Sequence, residues 1–416
     1  MKRFGDERDW FFRSRLGMFV HWGLYALPAW HEQILWRGDM KRADYEQLIN
    51  SFNPTAYDPD TWLDLCESAH MDSVVFTAKH HDGFCMYDTA YSDYKITNTP
   101  YGRDVLEMLA NACARRNVKL GIYYSLPDWH HKNYPNLGRH HEMFGPRPGD
   151  EPDEERYLEY VRNQVVELCT RYGTIWQFFW DVNVAGFHDP SINETLRRLQ
   201  PQMVINDRGP GPGDYDTPER KLPDGMSFSR PTQACQSLGR QSWGYRERED
   251  YYTVRFMMES IARTLCLGGN YLLNVGPCAD GSIAEPYKKA FAAIGDWYAR
   301  VGEAFRDTQP ASYLLQGGSM GGSWVMSDEA LMTRRGNTLY ACLCAPPQTS
   351  GFSLRPLTVQ PTRITLLNDG REIEGSVELI PWLWTEKPYL HLFNLPVEEF
   401  AGEVMVVRME MDSATI

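Results

Sequence analysis

Short, β-branched apolar runs alternate with stretches whose apolar residues recur at helical spacing through the first three quarters of the chain. That alternation is the mark of a βα-repeating fold. Helices are predicted over Asp60–Ala69, where Trp62, Leu63, Leu65 and Cys66 share a face, and over Asp104–Arg116, Glu154–Thr170, Ser191–Leu199, Val254–Leu267 and Glu285–Phe305. After Pro310 the texture changes. Runs such as Leu339–Leu343, Arg363–Leu367 and Glu403–Val407 are separated by Gly, Pro and Asn-Asp-Gly turns, the pattern of a small antiparallel β-domain. The expected division is therefore residues 1–310 and 311–416.

Five of the buried-looking strands in the first part end on polar or aromatic side chains. Gly17–Val20 runs into His21-Trp22-Gly23, and Ser73–Phe76 into Thr77-Ala78-Lys79-His80-His81-Asp82-Gly83. Lys119–Ile122 leads to Tyr123-Tyr124-Ser125, Thr174–Trp180 to Asp181, and Met203–Ile205 to Asn206-Asp207-Arg208-Gly209. In a (β/α)8 barrel, residues at the C-terminal strand ends build the active site. Five occurrences in register point to that architecture, and 416 residues accommodate a barrel of about 250 residues plus one smaller domain.

Aromatic residues are abundant, with 13 Trp, 23 Tyr and 18 Phe, a composition suited to stacking on the C–H faces of sugars and equally to filling a large core. A formal charge of −13 without a Lys/Arg cluster argues against nucleic acid or anionic membrane as partner. No run approaches the ~20 apolar residues of a membrane span. Nine cysteines without a C-x-x-C pair, and no apolar segment behind the N-terminal Lys2-Arg3, lead to the expectation of reduced thiols in a cytoplasm. A leader removed before this sequence begins would reverse that expectation. Oligomeric state is left open.

Candidate chemistry narrows by exclusion. Adjacent histidines occur at His80/His81, His130/His131 and His140/His141, but neighbours on a strand face opposite ways and chelate poorly; no metal is expected. The loop histidines His130, His131, His140 and His141 are expected to be solvated. There is no nucleophile elbow, and the segment Gly209–Gly213 carries two prolines that cannot donate to a phosphate. No cofactor is expected. Paired carboxylates remain: Asp181 closes an aromatic strand, and Glu219 follows the Gly/Pro-rich loop after the strand that bears Arg208. Two such groups on neighbouring strand ends can flank a glycosidic bond.

The chain resembles the α-L-fucosidases of glycoside hydrolase family 29. The resemblance rests on Gly17–Tyr25, Lys79–Phe84, Gly121–Ser125, Val204–Arg208, Ser242–Tyr245 and, most specifically, Gly268–Pro277 followed by Asp280-Gly281. It implies a barrel followed by a β-sandwich, and a retaining exo-α-L-fucosidase acting on a fucosylated glycan or fucoside. It also implies Asp181 as nucleophile and a sugar pocket of His21, Glu32, His80, His81, Tyr124 and Arg208. The methyl group and C–H face of such a sugar need apolar walls, for which Trp22, Phe179 and Trp243 are available. One position that carries an acid in some members is Gln233 here, which cannot give up a proton as a carboxylic acid does. Glu219 then becomes the acid/base candidate. Two alternatives stay open: another galacto-configured or deoxy sugar as substrate, and a catalytically silent fucose-binding protein.

Overall fold

The computed structural model describes residues 2–38, 40–182, 187–223, 225–315, 330–379, 381 and 388–412. Seven parallel strands form one sheet: β1 (Leu16–Val20), β2 (Ser73–Lys79), β3 (Lys119–Ser125), β4 (Gln177–Asp181), β5 (Val204–Ile205), β6 (Gln233–Ser237) and β7 (Asn270–Val275). Their spatial order is β5-β4-β3-β2-β1-β7-β6. Between them run the helices. Two short ones, α1 (Ile34–Arg37) and α2 (Arg42–Glu46), follow β1; the longer ones are α3 (Pro59–Ser68), α4 (Val105–Arg116), α5 (Glu154–Arg171), α6 (Pro190–Leu199), α7 (Val254–Cys266) and α8 (Glu285–Val301).

The helix starts follow from local chemistry. Asp58, Asp104, Asp153 and Asp189 each sit just before a helix, and each side chain accepts a backbone N–H of the first turn, at α3, α4, α5 and α6. Such caps satisfy donors that have no partner within the helix. Pro59 and Pro190 open α3 and α6, where a missing N–H costs nothing.

The sheet curls on itself. Phe19, Val75, Tyr123, Phe179, Cys235 and Leu272, one from each strand except β5, share a single buried cluster on the inner face. Gln177 of β4 donates from Nε2 to Oε1 of Gln233 in β6 at 2.6 Å, although the two strands lie near opposite ends of the sheet order. The intervening segment Tyr215–Glu219 makes isolated parallel bridges to both sides, Asn206↔Tyr215 beyond β5 and Asp216↔Thr232 and Glu219↔Cys235 along β6. The alternate residues of the strands, such as Met18 and Val20, Leu120, Ile122 and Tyr124, or Phe178 and Trp180, face the helices in the main core.

The remaining strands are antiparallel. β8 (Gln309–Pro310), β9 (Ala330–Arg335), β10 (Thr338–Leu343), β12 (Arg363–Leu366) and β15 (Met405–Glu410) form a sheet in the order β12-β15-β10-β9-β8. β11 (Phe352–Leu354), β13 (Gly375–Glu378) and β14 (Tyr389–Leu392) form another. Leu339, Ala341 and Leu343 share a core with Leu354 and Leu390 of the smaller sheet, whereas Tyr340 and Cys342 face the large core. Period-2 alternation thus splits β10 between two cores. The larger sheet takes its first strand from Gln309–Pro310, at the expected change of texture.

Candidate active site

At the C-terminal ends of the parallel strands lies a cavity of about 280 Å³. β4 delivers Asp181 to its wall. Asp181 Oδ2 accepts the Tyr123 hydroxyl of β3 at 2.6 Å, and Oδ1 accepts Nη1 of Arg208 at 2.9 Å. The same Arg208 Nη1 lies 3.0 Å from Glu219 Oε2. Two oxygens at 2.9 and 3.0 Å from one nitrogen can be no more than about 5.9 Å apart. That is below the ~6.5–9.5 Å separation of inverting glycosidases and admits the ~5–5.5 Å of retaining ones.

Burial opposes charge on Asp181, but Arg208 and the Tyr123 hydroxyl outweigh it and hold the carboxyl below its usual range. Burial likewise opposes the Arg208 cation, and the charges of Asp181 and Glu219 raise it. Arg208 is anchored from behind, donating from Nε to Thr217 Oγ1 and from Nη2 to the Thr217 carbonyl, both at 2.8 Å. One cation therefore ties the end of β4 to the segment that carries Glu219.

The opposite wall gathers a carboxylate and histidines. Glu32 Oε2 accepts the Ser242 hydroxyl at 2.8 Å and the backbone N–H groups of Trp243 and Gly244 at 2.9 and 3.3 Å. Burial raises its pKa, yet the neighbouring imidazoles and the Ser242 hydroxyl bring it to about 2. Burial pushes His21 down to about 4 and His80 and His81 well below their ordinary value. At neutral pH burial keeps the imidazoles neutral and the carboxylate, with three donors on one oxygen, holds the charge; the imidazoles lower Glu32 only where they take up protons, at more acid pH. Asn274 orients His21. Its Nδ2 donates to the Trp243 carbonyl and the Ser237 hydroxyl, which turns its Oδ1 toward His21 Nδ1 at 2.6 Å. His21 Nδ1 is then the donor and Nε2 is left as an acceptor. His81 Nδ1 is similarly held by Ser125 Oγ at 2.5 Å, whose own proton goes to the Pro127 carbonyl.

A family model described as alpha-L-fucosidase matches residues 5–303 of the chain. The chain belongs to the α-L-fucosidase family. It is similar to the tissue alpha-L-fucosidase of Mus musculus, at 26% identity across 94% of this chain and 90% of that one. Alpha-L-fucosidase isoenzyme 1 from Paenibacillus thiaminolyticus shares its fold with a TM-score of 0.83 at 32% identity, covering 98% and 99% of the two chains. An alpha-L-fucosidase from Bacteroides thetaiotaomicron, solved as a trapped covalent intermediate with 2-fluoro-fucosyl fluoride, superposes with a TM-score of 0.79 at 25% identity, covering 99% and 98%.

Of the expected pocket residues, His21, Glu32, His80, His81, Phe179, Asp181, Arg208, Glu219 and Trp243 all line the cavity. Tyr124 and Trp22 do not. Tyr124 faces outward and donates to Gln164 Oε1 at 2.6 Å; its neighbour Tyr123 is the tyrosine of the pocket. Trp22 is buried against Phe52, Tyr57 and Trp62 and donates to the Cys278 carbonyl. Both corrections have one cause: Tyr124 occupies the outward phase of β3, and Trp22, two residues past the end of β1, continues the outward phase of Met18 and Val20. His80 and His81 depart from the alternation rule in the other sense. β2 shifts register between Thr77 and Lys79 and then ends, so both rings reach the cavity with centroids 4.2 Å apart.

The expectation of solvated loop histidines fails for three of the four. His130 stacks on Tyr94 and meets Glu46 at 2.7 Å, and the His131 ring packs tilted against Tyr160 with centroids 4.2 Å apart. His141 lines the cavity, stacked on Trp36, with Gln33 Nε2 at 3.1 Å from its Nδ1; His140 beside it also lines the cavity but is exposed. Gln33, His141 and Cys235 were not foreseen, and Asn274 was passed over although a lone amide inside Leu272-Leu273-Asn274-Val275 signals an inward polar task. Gln233 is not among the cavity walls: it lies at the start of β6, bonded to Gln177. Among the described residues no group of three or more His, Cys, Asp and Glu side chains is arranged to hold a metal.

Proposed function

We propose that this chain is a retaining exo-α-L-fucosidase in which Asp181 is the nucleophile and Glu219 the acid/base. The observation that carries the reading is the single Arg208 nitrogen within 2.9 Å of Asp181 and 3.0 Å of Glu219 inside a cavity of monosaccharide size. Family membership supplies the substrate class, and the covalent intermediate of the Bacteroides relative supports double displacement.

In the first step an Asp181 oxygen bonds to the anomeric carbon while the bond to the aglycone oxygen breaks. Glu219 gives that oxygen its proton. Esterification removes the Asp181 charge, and Glu219, now ionised, takes a proton from water as the water oxygen attacks the same carbon and Asp181 leaves. The three carboxyls of the cavity divide the work by environment. Glu32, lowered to about 2 by the surrounding imidazoles and the Ser242 hydroxyl against the effect of burial, suits the binding of sugar hydroxyls rather than the acid role. Asp181 is 16% exposed and paired on both oxygens; Glu219 is 38% exposed and can exchange protons with the aglycone side. His21, His80 and His81 as neutral imidazoles, with Glu32, offer acceptors to hydroxyls, and Phe179 and Trp243 offer apolar faces to the ring and its methyl group.

The same reading takes Tyr215–Glu219 as the stave that completes an eight-membered barrel within residues 1–310, followed by a β-sandwich in 311–416. Nine free thiols accord with a reducing, cytoplasmic setting.

Turnover of an aryl α-L-fucoside, with the first-formed sugar followed by NMR, tests the proposal. Release of α-L-fucose is expected. Binding of fucose without turnover would support the silent binder, and faster release from an aryl galactoside would shift the substrate. Neither step calls for a metal, so dialysis against a strong chelator should leave the rate unchanged; loss restored by zinc or calcium would overturn the two-carboxylate mechanism.

A further inference from the structure

The residue after Glu219 is held more firmly than a loop position needs. Arg220 has φ of 51°, in the left-handed region that a long side chain seldom adopts. Its N–H donates to the Cys235 carbonyl at 3.1 Å, and Cys235 N–H donates to the Pro218 carbonyl at 3.0 Å. Glu219 is thus fixed in a bridge to β6, with the chain turning away immediately after it. The Arg220 guanidinium then folds back over the indole of Trp243, with Cζ 4.5 Å from the ring centroid, and Nη1 donates to the carbonyls of Gly239 and Arg240 at 3.2 and 3.0 Å. Trp243 is itself a cavity wall, its backbone tied to Glu32 and Asn274.

We infer that Arg220 is a positioning residue for Glu219: its left-handed backbone and its guanidinium, clamped between Trp243 and the segment after β6, set the direction from which Glu219 meets the aglycone. The proposal rests on the reading of Glu219 as acid/base. Arg208 fixes Glu219 from the Asp181 side, and Arg220 fixes it from the other. A guanidinium suits this place because it is flat enough to stack on an indole while its edge donates to two carbonyls, which an ammonium cannot match.

The test uses two fucosides, one with a dinitrophenyl leaving group and one with an alkyl leaving group, on wild type, Arg220→Gly, Glu219→Ala and the double variant. Glycine keeps the left-handed backbone accessible and deletes only the clamp. Arg220→Gly is expected to lower kcat/KM about tenfold or more on the alkyl fucoside and no more than about threefold on the dinitrophenyl one, because only the former needs protonation. Its kcat on the dinitrophenyl fucoside should fall and recover with azide, which attacks without a base. In the double variant the selective loss should not exceed that of Glu219→Ala alone, since a clamp that acts through Glu219 has nothing left to position. Arg220→Lys, a milder change should Arg220→Gly not fold, is expected to show the same selectivity in smaller measure.

Equal losses on both substrates, wild-type selectivity in the folded variants, or losses that multiply in the double variant would overturn the role of Arg220. If Glu219→Ala is selective and Arg220→Gly is not, the clamp alone falls. If Glu219→Ala itself shows no leaving-group dependence and no azide rescue, the acid/base reading falls and this inference with it.

Discussion

A buried aspartate attacks carbon only if it stays ionised and its lone pair stays aimed, and for Asp181, the proposed nucleophile, two residues meet both conditions. Arg208 stabilises the charge, and Tyr123 donates to the other oxygen. Replacing Asp181 by Gly removes the covalent step and should lower kcat by several orders of magnitude in a protein that still folds. A purified variant that keeps more than about a tenth of wild-type kcat has lost at most ~1.4 kcal/mol of transition-state stabilisation, and the assignment would then be wrong. The adjacent tyrosines give a sharper comparison. Tyr123→Phe deletes a hydrogen bond to a charged group, worth about 1.5–3 kcal/mol, and kcat should fall roughly tenfold to a hundredfold. Tyr124→Phe deletes the bond to Gln164 in the outer core and should lower the unfolding midpoint with little change in kcat. Measuring kcat and thermal unfolding for both decides which tyrosine serves the pocket; a catalytic defect in the Tyr124 variant alone would reverse the assignment.

At the scale of elements, side-chain phase along a strand explains what could be read in advance and what could not. The strand ends were legible because β-branched runs stop at polar residues, and the helices because apolar spacing and Asp caps agree. Tyr123 was legible in principle: Leu120, Ile122 and Tyr124 form the helix-facing phase of β3, which leaves Tyr123 inside. The strand β6 was not legible, because Gln233-Ala234-Cys235-Gln236-Ser237 has neither β-branching nor apolar alternation. Its polar side chains are tolerated because partners that its own spacing does not reveal satisfy them: Gln177 donates to Gln233, and Ser237 donates to the Ser242 carbonyl and accepts from Asn274. The pocket histidine His141 depends in the same way on contacts with Trp36 and Gln33 that no spacing encodes. Packing between elements makes its own demand at Gly295 of α8, where a Cβ would lie 1.9 Å from the Ser68 carbonyl oxygen at the end of α3. Gly295→Ala should therefore force the helices apart at a cost of about 1–3 kcal/mol, seen as a lower unfolding midpoint, while kcat at low temperature is unchanged because neither Gly295 nor Ser68 lines the cavity. An unchanged midpoint would mean that α8 can shift without loss.

For the whole molecule, the cluster that makes the pocket also sets its response to acid. Burial lowers His21 and His141 to about 4, and His80 and His81 well below their ordinary value, while an unfolded histidine titrates near ~6.5. Between those values the unfolded chain takes up protons that the folded chain refuses, so stability must fall as pH drops from ~6.5 toward 4. The carboxylates continue the trend. Asp128, paired with the buried Lys79 at 2.8 Å, and Glu32 both titrate at about 2 when folded, so their contribution is present above their unfolded values near 4 and is lost below them. Asp82 runs the other way, since burial raises it to about 6 and its cost appears only as pH rises toward that value; one such group offsets part of what four imidazoles impose. Urea midpoints measured from pH 7.5 to 4.5 should accordingly decline below about 6.5. Replacing His21 by Gln removes one of the protons that the unfolded state gains, so the slope over that window should become shallower by at most about 1.4 kcal/mol per pH unit. A His21→Gln variant with the wild-type slope would show that the imidazole is already protonated in the folded pocket, and the neutral cluster, with the acceptor it offers to a sugar hydroxyl, would have to be abandoned.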